Sequence, residues 1–381
     1  MGIISPQEIS NPVTAFGCTL VKDLFSHGTQ NVAVSPYSIW TALATTECAT
    51  TENSDASKQM GTLLRYDCVA AVDTPERNEK LCKWYIDYRK KMVVKDNVVA
   101  LHVVNAIFTR DNLDRDFEQA CDKRFGAHTM PLTDKGAINN FVAKHTENMI
   151  PDILKEEPEG DTVLVNAVYF QAIWNKKFQQ NLTIVSSFQP FKGDSIKCRM
   201  MTMKKTEIEL SITTSYQLVK LDYGIMNEFS AFIASPRGNA NTQKELNGVV
   251  DTLFGSDTSW TKATSLLKLK KAECLCIPSF TAEGGVDDLK GYMERHGVSQ
   301  VFAPGGLHNL TDTHEDYISK ISHRAIIKVD EAGTTAAAVT VIEATRSISG
   351  PPRVIFDRPF IFVVVHNATN TLLFAARVNT V

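Results

Sequence analysis

The sequence predicts an α+β fold in one unit, and three observations support it. Helical periodicity dominates the first half of the 381 residues and strand patterning the second, the segregation expected of α+β rather than alternating α/β architecture. No Gly/Ser/Pro linker, internal repeat or low-complexity tract marks a domain boundary. The chain closes on two apolar runs, PFIFVVVH and TLLFAARV, joined by the polar turn NATN, which reads as a buried hairpin.

Taken in order, Asn11-Pro12 sets a capping side chain before a proline at the first helical position, and Phe16, Leu20, Val21, Leu24 and Phe25 recur on one face. That predicts a helix running to Phe25. Ser35-Pro36 repeats the device before a helix over 39–46, and a third helix is expected over 54–64. Residues 75–93, PERNEKLCKWYIDYRKKMV, are helical in period and basic on the outer positions, with Arg77, Lys80, Lys83, Arg89, Lys90 and Lys91. The period then changes: 97–109, NVVALHVVNAIFT, is nearly all apolar or β-branched, as in a strand buried on both faces. Helical stretches at 114–125 and 137–150 precede a second such strand at 162–170. Alternating runs at 197–203, 207–212, 217–221 and 230–234 predict antiparallel strands. Helices are expected again at 243–253 and 286–296, and strands at 266–277 and 317–329.

Composition narrows the function classes. With 43% hydrophobic and 22% charged residues the chain can bury a sizeable core, and a net charge of -3 gives no global argument for nucleic acid or an anionic membrane. No apolar run reaches the length of a spanning helix. The start, MGIISPQEISNPV, lacks the basic and long apolar regions of a secretory signal, and Pro6 stands where a myristoylation pattern needs Ser or Thr. It reads as cytoplasmic, with secretion or surface exposure by an unconventional route as the alternative. The cysteines (Cys18, Cys48, Cys68, Cys82, Cys121, Cys198, Cys274, Cys276) are scattered through predicted helices and strands, as reduced buried thiols would be. Asn181, Asn309 and Asn367 each begin a glycan acceptor triplet, which matters only in a secretory compartment.

Signatures of turnover chemistry are missing. There is no Walker loop, dinucleotide fingerprint or G-x-S-x-G, and His314-Glu315 lacks the second histidine of a zincin helix. Cys274 and Cys276 share one face of a strand, as two core thiols or as half of a metal clip whose other ligands the sequence does not name. No enzyme activity, metal or cofactor is expected.

The exception is 331–350, EAGTTAAAVTVIEATRSISG. After Gly333 come sixteen residues without Gly or Pro, with seven β-branched side chains between Thr334 and Thr345, a composition that favours a strand. Gly333 before it and Gly350-Pro351-Pro352 after it are turn chemistry. Two readings stand on composition alone: an ordinary strand with a solvated Arg346, or an exposed loop offering Arg346 to a trypsin-like protease, whose primary pocket pairs an aspartate with the guanidinium.

The run Lys328-Val329-Asp330-Glu331-Ala332-Gly333-Thr334-Thr335-Ala336-Ala337-Ala338, with Phe356-Asp357-Arg358-Pro359-Phe360-Ile361-Phe362 beyond the loop, resembles the hinge and signature of the serpins. Other blocks agree in order and spacing. Asn31-Val32-Ala33-Val34-Ser35-Pro36-Tyr37-Ser38-Ile39 is similar to the family's N-(I/V)-x-x-S-P-x-S-I segment, and Leu164-Val165-Asn166-Ala167-Val168-Tyr169-Phe170 followed by Trp174 to its L-V-N-A-x-Y-F…W block. Met200-Met201 matches its Met-Met pair, and Phe374-Ala375-Ala376-Arg377-Val378-Asn379 its F-x-G-R-V-N close, with Ala376 in place of glycine.

The resemblance implies a serpin fold: a single domain over 1–381, about eight or nine helices around three β-sheets, with an exposed reactive-centre loop at about 331–352. It implies a suicide substrate for a trypsin-like serine protease, cleaved between Arg346 and Ser347, whose freed segment inserts into the large sheet and traps the acyl-enzyme. The hinge residues Glu331, Gly333, Thr334, Ala336, Ala337 and Ala338 suit insertion, because Thr334, Ala336, Ala338, Thr340 and Ile342 form one uncharged alternating set that is small near the hinge. Ser35, Ser38, Asn166 and His323 match the polar cluster beneath the sheet's opening, and Trp174 the tryptophan near the hinge. Two departures stand out. Glu331 in many relatives pairs with a lysine of a Pro-Lys-Phe segment, here Pro278-Ser279-Phe280, so no such salt bridge is expected. Many relatives place the scissile residue fourteen positions after the hinge glycine, which is Ser347 and would suit an elastase-like target, while Arg346 follows a shorter spacing also used in the family. A non-inhibitory binding, carrier or chaperone-like role is the alternative in kind. The basic helix, with Lys83, Arg89, Lys90, Lys91 and Lys95, lies where glycosaminoglycan-responsive relatives bind heparin, or is a solvated helix face. Expected partners are therefore a serine protease in covalent complex and a heparin-like polysaccharide acting as an activator, on a monomer without nucleic acid or membrane span.

Overall fold

The computed structural model describes residues 11–26, 30–69, 77–92, 94–237, 242–286, 289–331 and 350–381, with backbone alone for 77–79 and 82. Gly333, Thr334, Ala336, Ala337, Ala338, Arg346 and Ser347 lie outside the described residues.

The expected first-half helices form. In α1 (Pro12–Phe25) the Asn11 side chain accepts the Val13 N–H at 2.9 Å, and β1 (Val32–Val34) leads into α2 (Pro36–Glu47), capped by Ser35. There follow α3 (Asp55–Leu63), α4 (Arg77–Lys91), β2 (Val99–Thr109), α5 (Arg115–Ala120), β3 (His128–Pro131), α6 (Lys135–His145) and β4 (Thr162–Ala172). The helix expected over 114–125 is split: α5 passes into a π-helical turn at Cys121–Phe125 that ends on Gly126 at φ 60°, a conformation glycine adopts without strain.

The second half supplies β5 (Ile184–Phe188), β6 (Ile196–Ile212), β7 (Tyr216–Tyr223), β8 (Phe229–Pro236), α7 (Gln243–Phe254), α8 (Ser259–Thr264), β9 (Lys268–Pro278) and β10 (Phe280–Val286). Then come α9 (Leu289–Arg295), β11 (Lys320–Val329), β12 (Arg353–Ile355), β13 (Phe360–His366) and β14 (Thr371–Val378). The two strands expected at 197–203 and 207–212 are one strand, β6. Lys205 sits at φ 45° between the pairs Lys204↔Cys274 and Thr206↔Ala272, so the backbone kinks there without losing register.

Three sheets result, two of them sharing β6. One has the order β10-β11-β4-β2-β3; in the other path, β1-β14-β13-β8-β7-β6 forms a large lobe, and β6-β9-β12 with β5 a smaller one. The hairpin β13–β14 is buried along its whole length, as its unbroken apolar pattern requires. In β10, Gly284 lets β1 approach: a Cβ there would lie 2.5 Å from the Ala33 nitrogen.

Candidate functional site

In the five-stranded sheet, β11 pairs in parallel with β4 over eight residues, from Lys320↔Val163 to Ile327↔Phe170. No strand stands between them. They come from distant parts of the chain and form a parallel ladder, the slightly weaker kind per residue. β11 ends at Val329, directly before the 331–350 segment.

A polar row lies under this seam. Register places Asn105 of β2 opposite Asn166 of β4, and Asn166 opposite His323 of β11. All three are buried, at 6%, 1% and 2% exposure. The Ser35 N–H donates to His323 Nε2 at 3.1 Å, so Nδ1 carries the proton and donates to the Asn166 carbonyl oxygen. The Asn166 amide in turn donates to the Ser38 carbonyl at 3.0 Å and reaches Ser38 Oγ and Asn105 Oδ1. Ser35 Oγ donates to the Leu373 carbonyl at 2.5 Å. The structure therefore joins Ser35, Ser38, Asn166 and His323, and adds Asn105, which sequence reading passed over although it is the lone amide in an otherwise apolar strand core. Burial, reinforced by the charge of Arg324, lowers the His323 pKa to about 3. It is neutral at ordinary pH.

At the far end of the seam the Trp174 indole donates to the Asp330 carbonyl at 2.8 Å and stacks on Tyr223 at 4.2 Å. The Phe178 N–H donates to the Glu331 carbonyl at 3.0 Å. The Glu331 carboxylate is buried but has partners: Arg199 Nη2 at 2.5 Å and Thr183 Oγ1 at 2.9 Å. Burial opposes its charge, yet the Arg199 hydrogen bond, helped by its own backbone N–H and Thr183, holds the carboxyl below its ordinary range. The lysine missing at Ser279 is thus replaced across the strands. The Arg199 carbonyl accepts the Ser279 N–H at 2.8 Å, so the cation stands on β6 beside Ser279, the residue between β9 and β10.

The remaining candidates separate. Lys83, Lys90, Lys91 and Lys95 are exposed, with Lys90 3.1 Å from Asp87. Arg89 turns inward, donating to the Arg124 carbonyl at 2.7 Å beside Gly126. Asn181 is exposed, whereas the Asn309 amide donates to the Thr50 carbonyl at 3.0 Å and the Asn367 amide to the Asn227 carbonyl at 2.7 Å. Among the described residues, no group of three or more His, Cys, Asp or Glu side chains could hold a metal, and no helix is long and apolar enough to cross a membrane.

A family model described as "Serpin (serine protease inhibitor)" matches residues 11–381. Leukocyte elastase inhibitor of Sus scrofa is 28% identical over 393 residues, covering 98% of this chain and 100% of that one. Plasminogen activator inhibitor 1 of Sus scrofa is 32% identical over 250 residues; the match spans 63% of this chain and 60% of the relative, less than two thirds of its length. Among solved structures, native protease nexin-1 with heparin superposes with a TM-score of 0.80 at 23% identity, covering 99% of this chain and 100% of that one.

Proposed function

The chain belongs to the serpin family, and from that premise we propose that, as one domain over 1–381, it inhibits a trypsin-like serine protease as a suicide substrate. The protease serine attacks the Arg346 carbonyl carbon. The Arg346–Ser347 C–N bond breaks, the Ser347 amine leaves with a proton, and Arg346 stays esterified to the enzyme. Freed at that end, the segment from Thr334 onward enters the seam between β4 and β11, drawing the acylated protease with it.

The observation that supports this reading is the direct parallel pairing of β11 with β4. A segment that follows β11 and doubles back runs antiparallel to both strands. Its insertion exchanges one parallel ladder for two antiparallel ones, a gain in backbone hydrogen bonding and burial that drives the change. The alternating set Thr334, Ala336, Ala338, Thr340 and Ile342 would occupy one face of the new strand. Asn166 and His323 must part to admit it, which gives the polar row its role of keeping the seam closed until cleavage.

Heparin-like polysaccharide is proposed as a second ligand on Lys83, Lys90, Lys91 and Lys95. These lysines are exposed on and just beyond α4, and a structural neighbour was solved with heparin. The insertion step is tested by reacting the chain with one equivalent of trypsin, so that every loop is cut, and following thermal unfolding and hydrogen exchange in β4 and β11. A marked rise in Tm, with slower exchange in both strands, is expected. An unchanged Tm would contradict insertion.

A further inference from the structure

In the smaller lobe, β12 is three residues long and pairs with β9 through Arg353↔Cys274, Val354↔Leu275 and Ile355↔Cys276. Bonds at each end bracket this ladder: the Glu273 N–H donates to the Pro352 carbonyl and the Phe356 N–H to the Cys276 carbonyl, each at 2.9 Å. The two residues that sit opposite β12 on one face of β9 are thus both cysteines. Register sets Arg353 opposite Cys274 and Ile355 opposite Cys276, so the two thiols share one face of β9 with a guanidinium on the neighbouring strand. Thr202 of β6 donates to Cys276 Sγ at 3.7 Å. Cys274 and Cys276 are 8% and 7% exposed and pack with Met200 and Ile355.

We propose that Cys274 and Cys276 form a redox-sensitive dithiol, oxidised to a disulfide by hydroperoxides and reopened by dithiol reductants, and that closing it loosens β12. The Cys274 thiolate attacks a peroxide oxygen, giving Cys274 sulfenic acid and releasing hydroxide. The Cys276 sulfur then attacks the sulfenic sulfur, the S–S bond forms, and the displaced hydroxyl leaves with the Cys276 proton as water. Arg353 stabilises the attacking thiolate and Cys276 resolves the intermediate.

The electrostatics single out this pair. The Cys276 hydrogen bond, joined by the hydrogen bond and charge of Arg353, brings the Cys274 pKa down to about 6 against burial, while the same bond and burial push Cys276 up. Burial raises the thiols of Cys18 to about 12 and Cys198 to about 11, and raises those of Cys68 and Cys121. The link to β12 is geometric. Side chains two apart on one face of an extended strand project in parallel with Cβ atoms roughly 6.4–6.8 Å apart, whereas a disulfide needs a Cβ separation of about 3.5–4.5 Å. Closure therefore draws β9 in along the stretch that holds β12.

The test is oxidation of the full-length protein with hydrogen peroxide, alkylation, and mass spectrometry of tryptic peptide 272–290, which carries both thiols and no other cysteine. Loss of two hydrogens from this peptide before any other thiol reacts is expected. Arg353→Gln should slow it roughly tenfold. Cys276→Ser should instead leave a sulfenic acid on Cys274 that dimedone captures. Hydrogen exchange over 350–356 should rise on oxidation, recover with dithiothreitol, and stay unchanged in Cys276→Ser. A peptide that keeps both thiols while other cysteines oxidise would overturn the dithiol. A disulfide that forms without faster exchange would overturn its coupling to β12.

Discussion

Arg199 on β6 reaches the buried Glu331 carboxylate at 2.5 Å, and it lies beside Ser279, where the resemblance would place a lysine. This pair fixes the end of β11 directly before the reactive segment. Removing Arg199 leaves a carboxylate that is 3% exposed without its cation. Arg199→Ala should destabilise the protein by about 2–4 kcal/mol, below the ~3–5 kcal/mol for breaking a fully buried pair because the arginine is 29% exposed. Ser279→Lys should restore a large part of that loss in the Arg199→Ala background and little in the wild type, which a double-mutant cycle by urea unfolding measures. The sign with pH is fixed by the depressed Glu331 pKa. The contribution is present above the unfolded carboxyl value of about 4.3 and is lost as pH falls through the lower native value.

His323 also lowers stability in acid, but because it is buried neutral rather than charged. Its native pKa of about 3 lies below the unfolded value of about 6.5, so on acidification the unfolded chain takes the proton first. Stability should fall as pH drops below about 6.5, by up to ~1.4 kcal/mol per pH unit from this group. Unfolding midpoints from pH 7 to pH 4 should fall less steeply in His323→Gln than in the wild type.

Asn166 ties the seam together by bonding Ser38, Asn105 and His323. Asn166→Ala strands polar groups on both sides and should destabilise by roughly 2–3 kcal/mol. It should also raise hydrogen exchange in β4 and β11 more than in β2.

Insertion makes a separate demand on the hinge. Ala336→Arg or Ala338→Arg places a charge in the set that must enter the sheet, so cleavage after Arg346 should persist while the covalent complex disappears. Arg346→Ala should instead lower the rate of reaction with trypsin by on the order of a thousandfold or more, because the pocket aspartate loses its partner.

Much of this architecture is legible in the sequence because local rules and tertiary packing agree. Asn11-Pro12 and Ser35-Pro36 cap their helices as expected, and the apolar runs of β2, β4, β13 and β14 are the strands they predict. The small strands β1, β3, β5, β10 and β12 are set by pairing partners rather than by their own pattern. Arg199 was missed for the same reason, since only the β6–β9 register brings it beside Ser279. Asn105 was visible as an amide in an apolar strand, but nothing local says what it faces. Arg89 follows the basic pattern of its helix and still turns inward, because the left-handed turn at Gly126 leaves room for its guanidinium beside the Arg124 carbonyl.

The central claim is tested most directly by mixing the protein with an equimolar amount of trypsin and boiling in SDS. A covalent complex that survives, with release of a C-terminal fragment beginning at Ser347, is the expected result. Complete cleavage without complex would contradict inhibition, and a fragment beginning at Ile348 would contradict Arg346 as the residue attacked.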